Sequence, residues 1–549
     1  MCHVEAKSTR WLDWILWFSI HVPGRYVGSK CRPQPRMLTL KSHPTFLRLI
    51  WLMVLGLLQA WALAWPGNGQ ASGVLQCVAA ALWLQQLWTC KHDLAAVAKT
   101  TFWYVSVWLL GSFWWLHISM HQYGGLPGWL SVLALALLAT ALSVFYVAMM
   151  VLWARWCAAP DKADPLWSAL SLAAAWTLAE LMRGQWFTGF PWGAVGYAHV
   201  DSWLAAWAPW LGVYGVGAVV WLLLALWVQR KERPGAWRRM AGVLLVTAVL
   251  GHFNATWTQS AGTQTVTLLQ GNIAQDQKFE EQRGVLEALA WYGQQLRAST
   301  TALVVTPETA WPVLKSSLPP GYTQALSDAF PEGGTRAALV GLPVLDQGAY
   351  RNSLEAWGGD QPYRYDKHHL VPFGEFVPSF FEWFVQMMRI PLGQFARGPV
   401  DAPSWTWQGQ RIAPNICYED VFGEELAQRF RVDSEAPTVL VNASNIAWFG
   451  DTVAVPQHLN ISRMRALELQ RPMLRATNTG ATAIIDHQGR VRQQLPPYQR
   501  SILQGEYEGR TGLTPYARMA ARWGLWPLWL LCSVILLGSA VRRRSTAGA

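Results

Sequence analysis

Eight apolar stretches in this chain are each about as long as a helix needs to cross a bilayer, and they constrain the fold before anything else does. Crossing about 30 Å of hydrocarbon takes about 20 helical residues. The stretches run over 49–65, 71–90, 101–118, 129–153, 165–182, 203–228, 240–257 and 523–541, and the seventh is the weakest because it ends on polar His252 and Asn254. Composition agrees. Of 549 residues 52% are hydrophobic and 14% charged, against about 25% charged in soluble domains. The 36 tryptophans point the same way, since Trp collects at membrane–water interfaces. Disorder, a collagen repeat and a disulfide scaffold are excluded.

The net charge of +11 suggests nucleic acid only until the basic residues are placed. They cluster in short loops between apolar stretches: Lys91 and Lys99; Arg155 and Lys162; Arg230, Lys231, Arg233, Arg238 and Arg239; and the tail Arg542 to Arg544. The alternate loops 66–70 and 119–128 carry no Lys or Arg, and 183–202 carries only Arg183. By the positive-inside rule both termini are expected in the cytoplasm, with the long 258–522 segment on the other side. No nucleic-acid partner is expected.

The chain therefore divides into an N-terminal extension (1–44), a seven-helix membrane domain (45–257), a soluble domain (258–522), a C-terminal transmembrane helix (523–541) and a cytoplasmic tail (542–549). In the extension the apolar run 11–20 is too short to span and is broken by Asp13. Translation from Met37 is the expected native start, and an interfacial helix is the other reading of the run. In the soluble domain short apolar runs (265–270, 302–305, 338–342, 438–441) alternate with helical spacing over 279–297 and 459–469. Strands alternating with helices give a layered α/β sheet.

Function in an α/β sheet gathers at the carboxyl ends of strands. Glu308 ends the run LVVTPET, Cys417 follows the run 412–416 just before an expected helix at 423–431, and Lys367 lies in YRYDKHHLVPFGEFVP. A helix N-terminus and a nearby ammonium lower a thiol pKa. A carboxylate can relay the proton, and a lysine can stabilise a tetrahedral oxyanion. Acyl transfer through a thioester is then chemically sensible. Spacing alone leaves the alternatives open: a packing cysteine, a Lys367–Glu375 pair, and a turn-capping Glu308. Of the seven cysteines none forms a CxxC or a Cys/His cluster, so no metal is expected.

The segments LLQGNIAQ, VVTPET, DKHHLVPFGEFVP, NICYED, NASNIAWFG and RMRALELQRPMLRATNTG closely resemble the nitrilase superfamily with its Glu–Lys–Cys triad. HLVPFGEFVP, ASNIAWFG and RALELQRP, with RGQWFTGFPWGAVGY in the membrane part and TGLTPYAR at 511–518, resemble bacterial apolipoprotein N-acyltransferases in particular. The similarity runs from about residue 45 to the end. It implies a membrane bundle of about eight helices carrying an extracytoplasmic nitrilase-like αββα sandwich in the bacterial inner membrane, with the domain on the periplasmic side. It implies Glu308 as general base, Lys367 as oxyanion stabiliser and Cys417 as nucleophile. Glu375, Tyr418 and Glu419 would support them, and Phe279, Asn442 and Trp448 would line the substrate site. The implied reaction moves an acyl chain from a phospholipid, with phosphatidylethanolamine the expected donor, onto Cys417. From there it passes to the α-amine of a diacylglyceryl-cysteine on a lipoprotein, with no cofactor. Two departures stand out: Thr306-Pro307-Glu308 where the family often has WPE, and Phe279 where some members have Trp.

Other features read more plainly. The His368–His369 pair has no third ligand and is expected to pack or be solvated. Glu180 and Arg183, at the end of the fifth stretch, are expected at the interface, as a headgroup ion pair or snorkelling to water. The aromatic 186–197 segment is an interfacial belt or a substrate lip. The alternative activities are a membrane-tethered amidohydrolase, in which water replaces the amine, and a transporter, which the mostly Leu, Ala, Val and Trp spans disfavour.

Overall fold

The computed structural model describes residues 45–158, 164–254, 257–276, 278, 284–378 and 395–547. The extension 1–44 and Phe279 lie outside them. Helices form over each of the apolar stretches: α1 (Thr45–Trp61), α2 (Gly73–Thr89), α3 (Leu94–Ser112), α4 (Gly128–Leu152), α5 (Pro165–Gln185), α6 (Ala208–Gln229), α7 (Gly235–Phe253), and a last one over Trp526–Ala547. Four segments of the described residues are long and apolar enough to cross a membrane: Leu94–Ser112, Gly128–Cys157, Trp203–Gln229 and Trp526–Arg543. Helices α1 and α2 have 17 residues each, α5 carries Glu180 and Arg183, and α7 carries Arg238 and Arg239. Helix α3 starts earlier than hydropathy suggests because the Asp93 side chain caps it, accepting from the Ala95 and Ala96 amides. Lys99 is thus inside a helix rather than in a loop.

Many tryptophans are not at an interface at all. Trp83, Trp108, Trp176 and Trp221 are fully buried between the helices, with Trp176 and Trp221 rings 4.0 Å apart and Trp83 stacked on Tyr104 at 4.7 Å. Aromatic rings of this size fill the bundle core with large contact areas. The expectation for Glu180 and Arg183 is also corrected, because both are buried in the protein and neither reaches water or a headgroup. Arg183 donates to the Phe190 and Trp192 carbonyls at 2.6 and 2.7 Å and to the Tyr146 hydroxyl at 2.9 Å. Glu180 accepts from the Val195 amide at 3.0 Å. The two residues tie the 186–197 loop to the bundle, where they satisfy backbone groups that lipid could not.

The soluble part is two six-stranded sheets. The first is formed by β1 (Gln259–Gln270), β2 (Leu303–Val305), β3 (Ala337–Asp346), β4 (Ala349–Trp357), β5 (Arg364–Asp366) and a late strand, Ser501–Thr511, which pairs antiparallel with β1. The second holds β6 (Trp405–Trp407), β7 (Gln410–Ile416), β8 (Val439–Ser444), β9 (Met473–Thr477), β10 (Ala483–Ile485) and β11 (Val491–Gln494), and the late strand is β12. Strands β1, β2 and β3 run parallel, as do β7, β8 and β9. The period-2 alternation of each strand builds the layers. Val266, Leu268, Leu303, Val305 and Leu339 face Ile412, Val439, Val441 and Leu474 between the sheets. Leu269, Val304, Ala338 and Val340 face outward onto α8 (Leu286–Ala298) and α9 (Tyr322–Ala329).

On the outer side of the second sheet lies α10 (Ala454–Leu469), and it is buried almost all round although it is polar. Its apolar residues join one continuous core with the membrane helices. Its polar residues find partners there: Gln457 Oε1 accepts from the Trp192 and Trp115 indoles at 2.8 and 3.1 Å, Asn460 donates to the Leu63 carbonyl at 3.2 Å, and Glu468 accepts from the Val213 amide at 2.6 Å. The remaining helices, α11 (Pro515–Trp523) and α12 (Trp526–Ala547), return the chain to the bundle. Replacing the shared acceptor leaves the buried Trp192 indole unpaired, whereas the Trp115 indole keeps the Ser112 carbonyl at 3.0 Å. Gln457→Leu is expected to destabilise the protein by roughly 1–3 kcal/mol, read as a lower midpoint in thermal unfolding in detergent. An unchanged midpoint would show that the Trp192 indole finds another acceptor.

Candidate active site

Three chain turns at carboxyl ends of strands bring the expected residues together. Glu308 follows β2, Cys417 follows β7, and Lys367 follows the short β5. The Glu308 turn presses so closely on β3 that a Cβ at Gly341 would lie 2.2 Å from the Pro307 carbonyl, so only glycine fits there. Cys417 itself sits at φ 54°, in the left-handed region. A cysteine held there is strained, and such strain recurs where a side chain must be presented at a defined angle.

Lys367 is 1% exposed, and its ammonium lies between two carboxylates. Its Nζ donates to Glu308 Oε1 at 3.2 Å and to Glu375 Oε1 at 2.9 Å. Asn352 of β4 bridges the same pair, donating to Glu308 Oε1 at 2.7 Å and Glu375 Oε1 at 2.8 Å. The second Glu308 oxygen accepts from the Asn445 amide at 2.9 Å, just after β8. Glu375 Oε2 accepts from the Val371 amide at 2.9 Å, which fixes the PFGEF turn.

The charges follow from this geometry. Burial favours neutral Lys367, but the Glu308 and Glu375 carboxylates hold its proton and keep its pKa above the usual lysine range. Burial favours protonated Glu308, yet Lys367 and the Asn352 hydrogen bond bring its pKa below the usual carboxylate range. Cys417 moves the other way: burial first and the Glu308 carboxylate second push its thiol up, with Lys367 and an Asn445 amide hydrogen bond opposing. The expected lowering by a helix N-terminus does not occur, because the segment after Cys417 is a 3-10 turn (Cys417–Val421), then a single helical turn (Gly423–Leu426) and another 3-10 turn (Ala427–Phe430). Such short turns have little dipole. The resting nucleophile is a thiol beside an ionised carboxylate.

Glu419 positions two of the three segments at once. It accepts from the Ile416 amide at the end of β7 at 2.6 Å and from the His368 and His369 amides beside Lys367 at 2.6 and 3.1 Å. Both its oxygens accept from the Tyr365 hydroxyl at 2.8 Å, and burial raises its pKa. Tyr418 points away from the thiol and donates to the Gly189 carbonyl of the membrane loop at 3.3 Å. Asn442 is fully buried and donates to the Cys417 carbonyl at 3.1 Å and to Asn415 at 2.6 Å. Its place is behind the nucleophile, supporting the left-handed turn, and not on an open lining. Trp448 is 38% exposed and meets Tyr123 edge-on at 5.4 Å. His368 bonds to the Gly398 carbonyl at 2.8 Å and His369 to Glu425 at 3.0 Å.

Two features escape sequence reasoning. Lys278 is 2% exposed and donates to the Glu308 backbone carbonyl at 3.2 Å. Burial pulls its pKa down to about 8, although Glu308 and Cys417 pull it up. The only signal for it was its place in the segment that also carries Phe279. The second is a network behind Cys417. His458 of α10 places Nε2 at 2.8 Å from Asp420 Oδ1 and 3.2 Å from the Cys417 carbonyl. The Arg475 guanidinium lies 3.2 Å from Asp420 Oδ2 and 3.2 Å from His458 Nδ1. With Nδ1 accepting, the imidazole proton is on Nε2, where both acceptors are. Burial would raise the Asp420 pKa, but His458 and Arg475 bring it below the usual range. Removing Asp420 alone strands a buried guanidinium. Asp420→Ala is expected to lose roughly 3–5 kcal/mol of stability. Asp420→Ala with Arg475→Met is expected to recover a large part, and a double variant no more stable than the single would contradict the pairing.

Comparison with known proteins follows the same division. Residues 55–226 match the apolipoprotein N-acyltransferase N-terminal domain, and residues 265–516 match the carbon-nitrogen hydrolase domain. The apolipoprotein N-acyltransferase of Verminephrobacter eiseniae is 48% identical over 509 residues, covering 87% of this chain and 93% of that one. That of Ralstonia nicotianae is 45% identical over 447 residues, covering 80% and 84%. That of Bordetella bronchiseptica is 39% identical over 472 residues, covering 78% and 85%. With both domains matched and relatives of this identity along most of its length, the chain belongs to the apolipoprotein N-acyltransferase family, and it is an acyltransferase.

Proposed function

We propose that this enzyme acylates lipoproteins in two half-reactions through a thioester on Cys417. The acyl donor is a phospholipid, taken to be the sn-1 chain of phosphatidylethanolamine, and the acceptor is the α-amine of a diacylglyceryl-cysteine. The observation that carries this reading is the convergence of Glu308, Lys367 and Cys417 from three strand ends, with the base ionised and the thiol protonated. In the first half-reaction Glu308 takes the thiol proton as Sγ attacks the ester carbonyl carbon. The Lys367 ammonium offsets the charge on the tetrahedral oxygen. Collapse breaks the ester C–O bond, and Glu308 returns the proton to the departing glycerol oxygen, leaving lysophospholipid and thioester. In the second, the acceptor amine attacks the thioester carbonyl and loses a proton to Glu308. Collapse then forms the amide and returns the proton to the Cys417 sulfur.

The eight helices are read as eight crossings of a bacterial inner membrane, divided at 45–257, 258–522 and 523–541, with the tail 542–549 in the cytoplasm and the catalytic domain periplasmic. The Lys/Arg asymmetry of the loops supports that orientation. Donor and acceptor are both lipid-anchored, so confinement to one membrane raises their effective concentration at the site. Glu375 and Glu419 act as positioning groups, and Trp448, with Phe279, as part of the acyl-chain boundary.

Separable half-reactions test the mechanism. Phospholipid without acceptor is expected to give a burst of about one equivalent of lysophospholipid per enzyme, then slow turnover. A lipopeptide with a free N-terminus restores turnover, and an N-acylated one does not. Lys367→Met is expected to slow the burst by about 10²–10³. Lysophospholipid that forms only when the acceptor is present would overturn the two-step scheme. Free fatty acid as the main product with acceptor present would favour an amidohydrolase.

A further inference from the structure

A cavity of about 860 Å³ opens where the end of α5 meets the start of α12, and Glu308, Lys367 and Cys417 are not among its lining residues. Its walls are of two kinds. Gln185, Trp523, Trp526 and Leu530 come from helix ends at the edge of the bundle, and Trp523, Trp526 and Leu530 are 60%, 76% and 67% exposed. Glu424, Arg431 and Arg522 come from the segment after Cys417 and from α11. Trp186 stacks on Trp529 at 6.1 Å beside it, and the Trp529 indole donates to Gln185 at 2.6 Å. Exposed tryptophans at the end of a helix able to cross a membrane mark headgroup depth.

The buried wall carries a carboxyl group that stands outside any ion pair among the described residues. Glu424 is 9% exposed, lines the cavity, and has no ion-pair partner among the described residues. Burial and the neighbouring Glu425 push its pKa up to about 7, against the opposing pull of Arg465 and His369. Two arginines line the same cavity. Arg431 is anchored by donating Nε to the Ala521 carbonyl at 3.0 Å, and Arg522 stands on the exposed side of α11, whose Ala517, Ala520 and Ala521 are buried. Two carboxyl groups in the wall (Glu424, and Glu425 paired with His369), guanidinium groups beside them and an apolar outer edge match one ligand class.

We propose that this cavity binds one phospholipid with an amine-bearing headgroup, at a position separate from the acyl donor at Cys417. The headgroup ammonium sits against Glu424, the phosphate against Arg522 and Arg431, and the acyl chains lie outward along Trp526 and Leu530. The volume is that of a ligand pocket and holds a headgroup and glycerol with part of the chains. His369 and Phe422 also line the cavity, with rings 3.6 Å apart. They belong to the segments that carry Lys367 and Cys417, so the bound lipid braces both.

The site is tested in full-length Cys417→Ala protein, which forms no thioester, so the outcome is independent of the catalytic scheme. The protein in detergent micelles is irradiated with phosphatidylethanolamine bearing a diazirine on its acyl chain, and labelled peptides are mapped by mass spectrometry. Labelling over 523–530 is expected to be competed by unlabelled phosphatidylethanolamine about tenfold better than by phosphatidylglycerol, which lacks the ammonium. Labelling around exposed Leu133 and Leu137 of α4, which reports annular lipid, should not discriminate. Glu424→Gln with Arg522→Gln is expected to lower the 523–530 label about tenfold and leave the α4 label unchanged. Should that variant fail to fold, the headgroup competition on the Cys417→Ala protein decides alone. Equal competition by the two lipids, or labelling at 523–530 that behaves as α4 does, would overturn the proposal.

Discussion

The arrangement turns on one buried ammonium. Lys367 sits between Glu308 and Glu375 where water cannot solvate it, and its charge holds the buried Glu308 carboxyl below the usual carboxylate range while the two carboxylates hold its own proton. That mutual dependence sets the chemistry. An ionised Glu308 is a base, and its negative charge together with burial keeps Cys417 a thiol until substrate arrives. The nucleophile is thus generated in the reaction itself. The site need not hold a standing thiolate.

The second constraint is the joint between membrane and soluble parts. Helix α10 carries residues that an isolated amphipathic helix would turn to water, and here both of its sides are covered. One side offers Gln457 and Asn460 to the bundle, and the other offers His458 and Ser462 to Asp420 and Arg475 behind Cys417. Ser462 donates to Asp420 in a short hydrogen bond. The strained Cys417 turn is therefore held through the same helix that fastens the bundle. Tyr418 makes a second link through Gly189. Placement of the thiol relative to lipid is a property of the joint and not of the sandwich alone.

Much of this was legible in the residues. Hydropathy located the helices and short apolar runs located β1, β2, β3 and β8, while spacing left Glu308, Lys367 and Cys417 as candidates whose roles came from the family resemblance. What was not legible depends on contacts between distant segments. Gln457 meets Trp115 across 342 residues, and no local pattern distinguishes a buried polar helix from a solvated one. Arg183 looked free to reach water or a headgroup because its position along α5 was readable, whereas the loop carbonyls of Phe190 and Trp192 that capture it were not. Cys417 looked activated because a helix was expected after it. The chain forms tight 3-10 turns there, since Glu419 and Asp420 are both drawn inward by partners from β5, β7 and α10.

The central claim is that the acyl group rests covalently on Cys417 between the two half-reactions. The most direct test is acid-quenched peptide mass spectrometry of the full-length enzyme after exposure to a phospholipid of one defined acyl chain without acceptor. The account predicts a mass gain of that acyl group less one hydrogen on the Cys417 peptide, removed by hydroxylamine and absent in Cys417→Ala. Lysophospholipid accumulating with the Cys417 peptide unmodified, or an adduct on another residue, would contradict it.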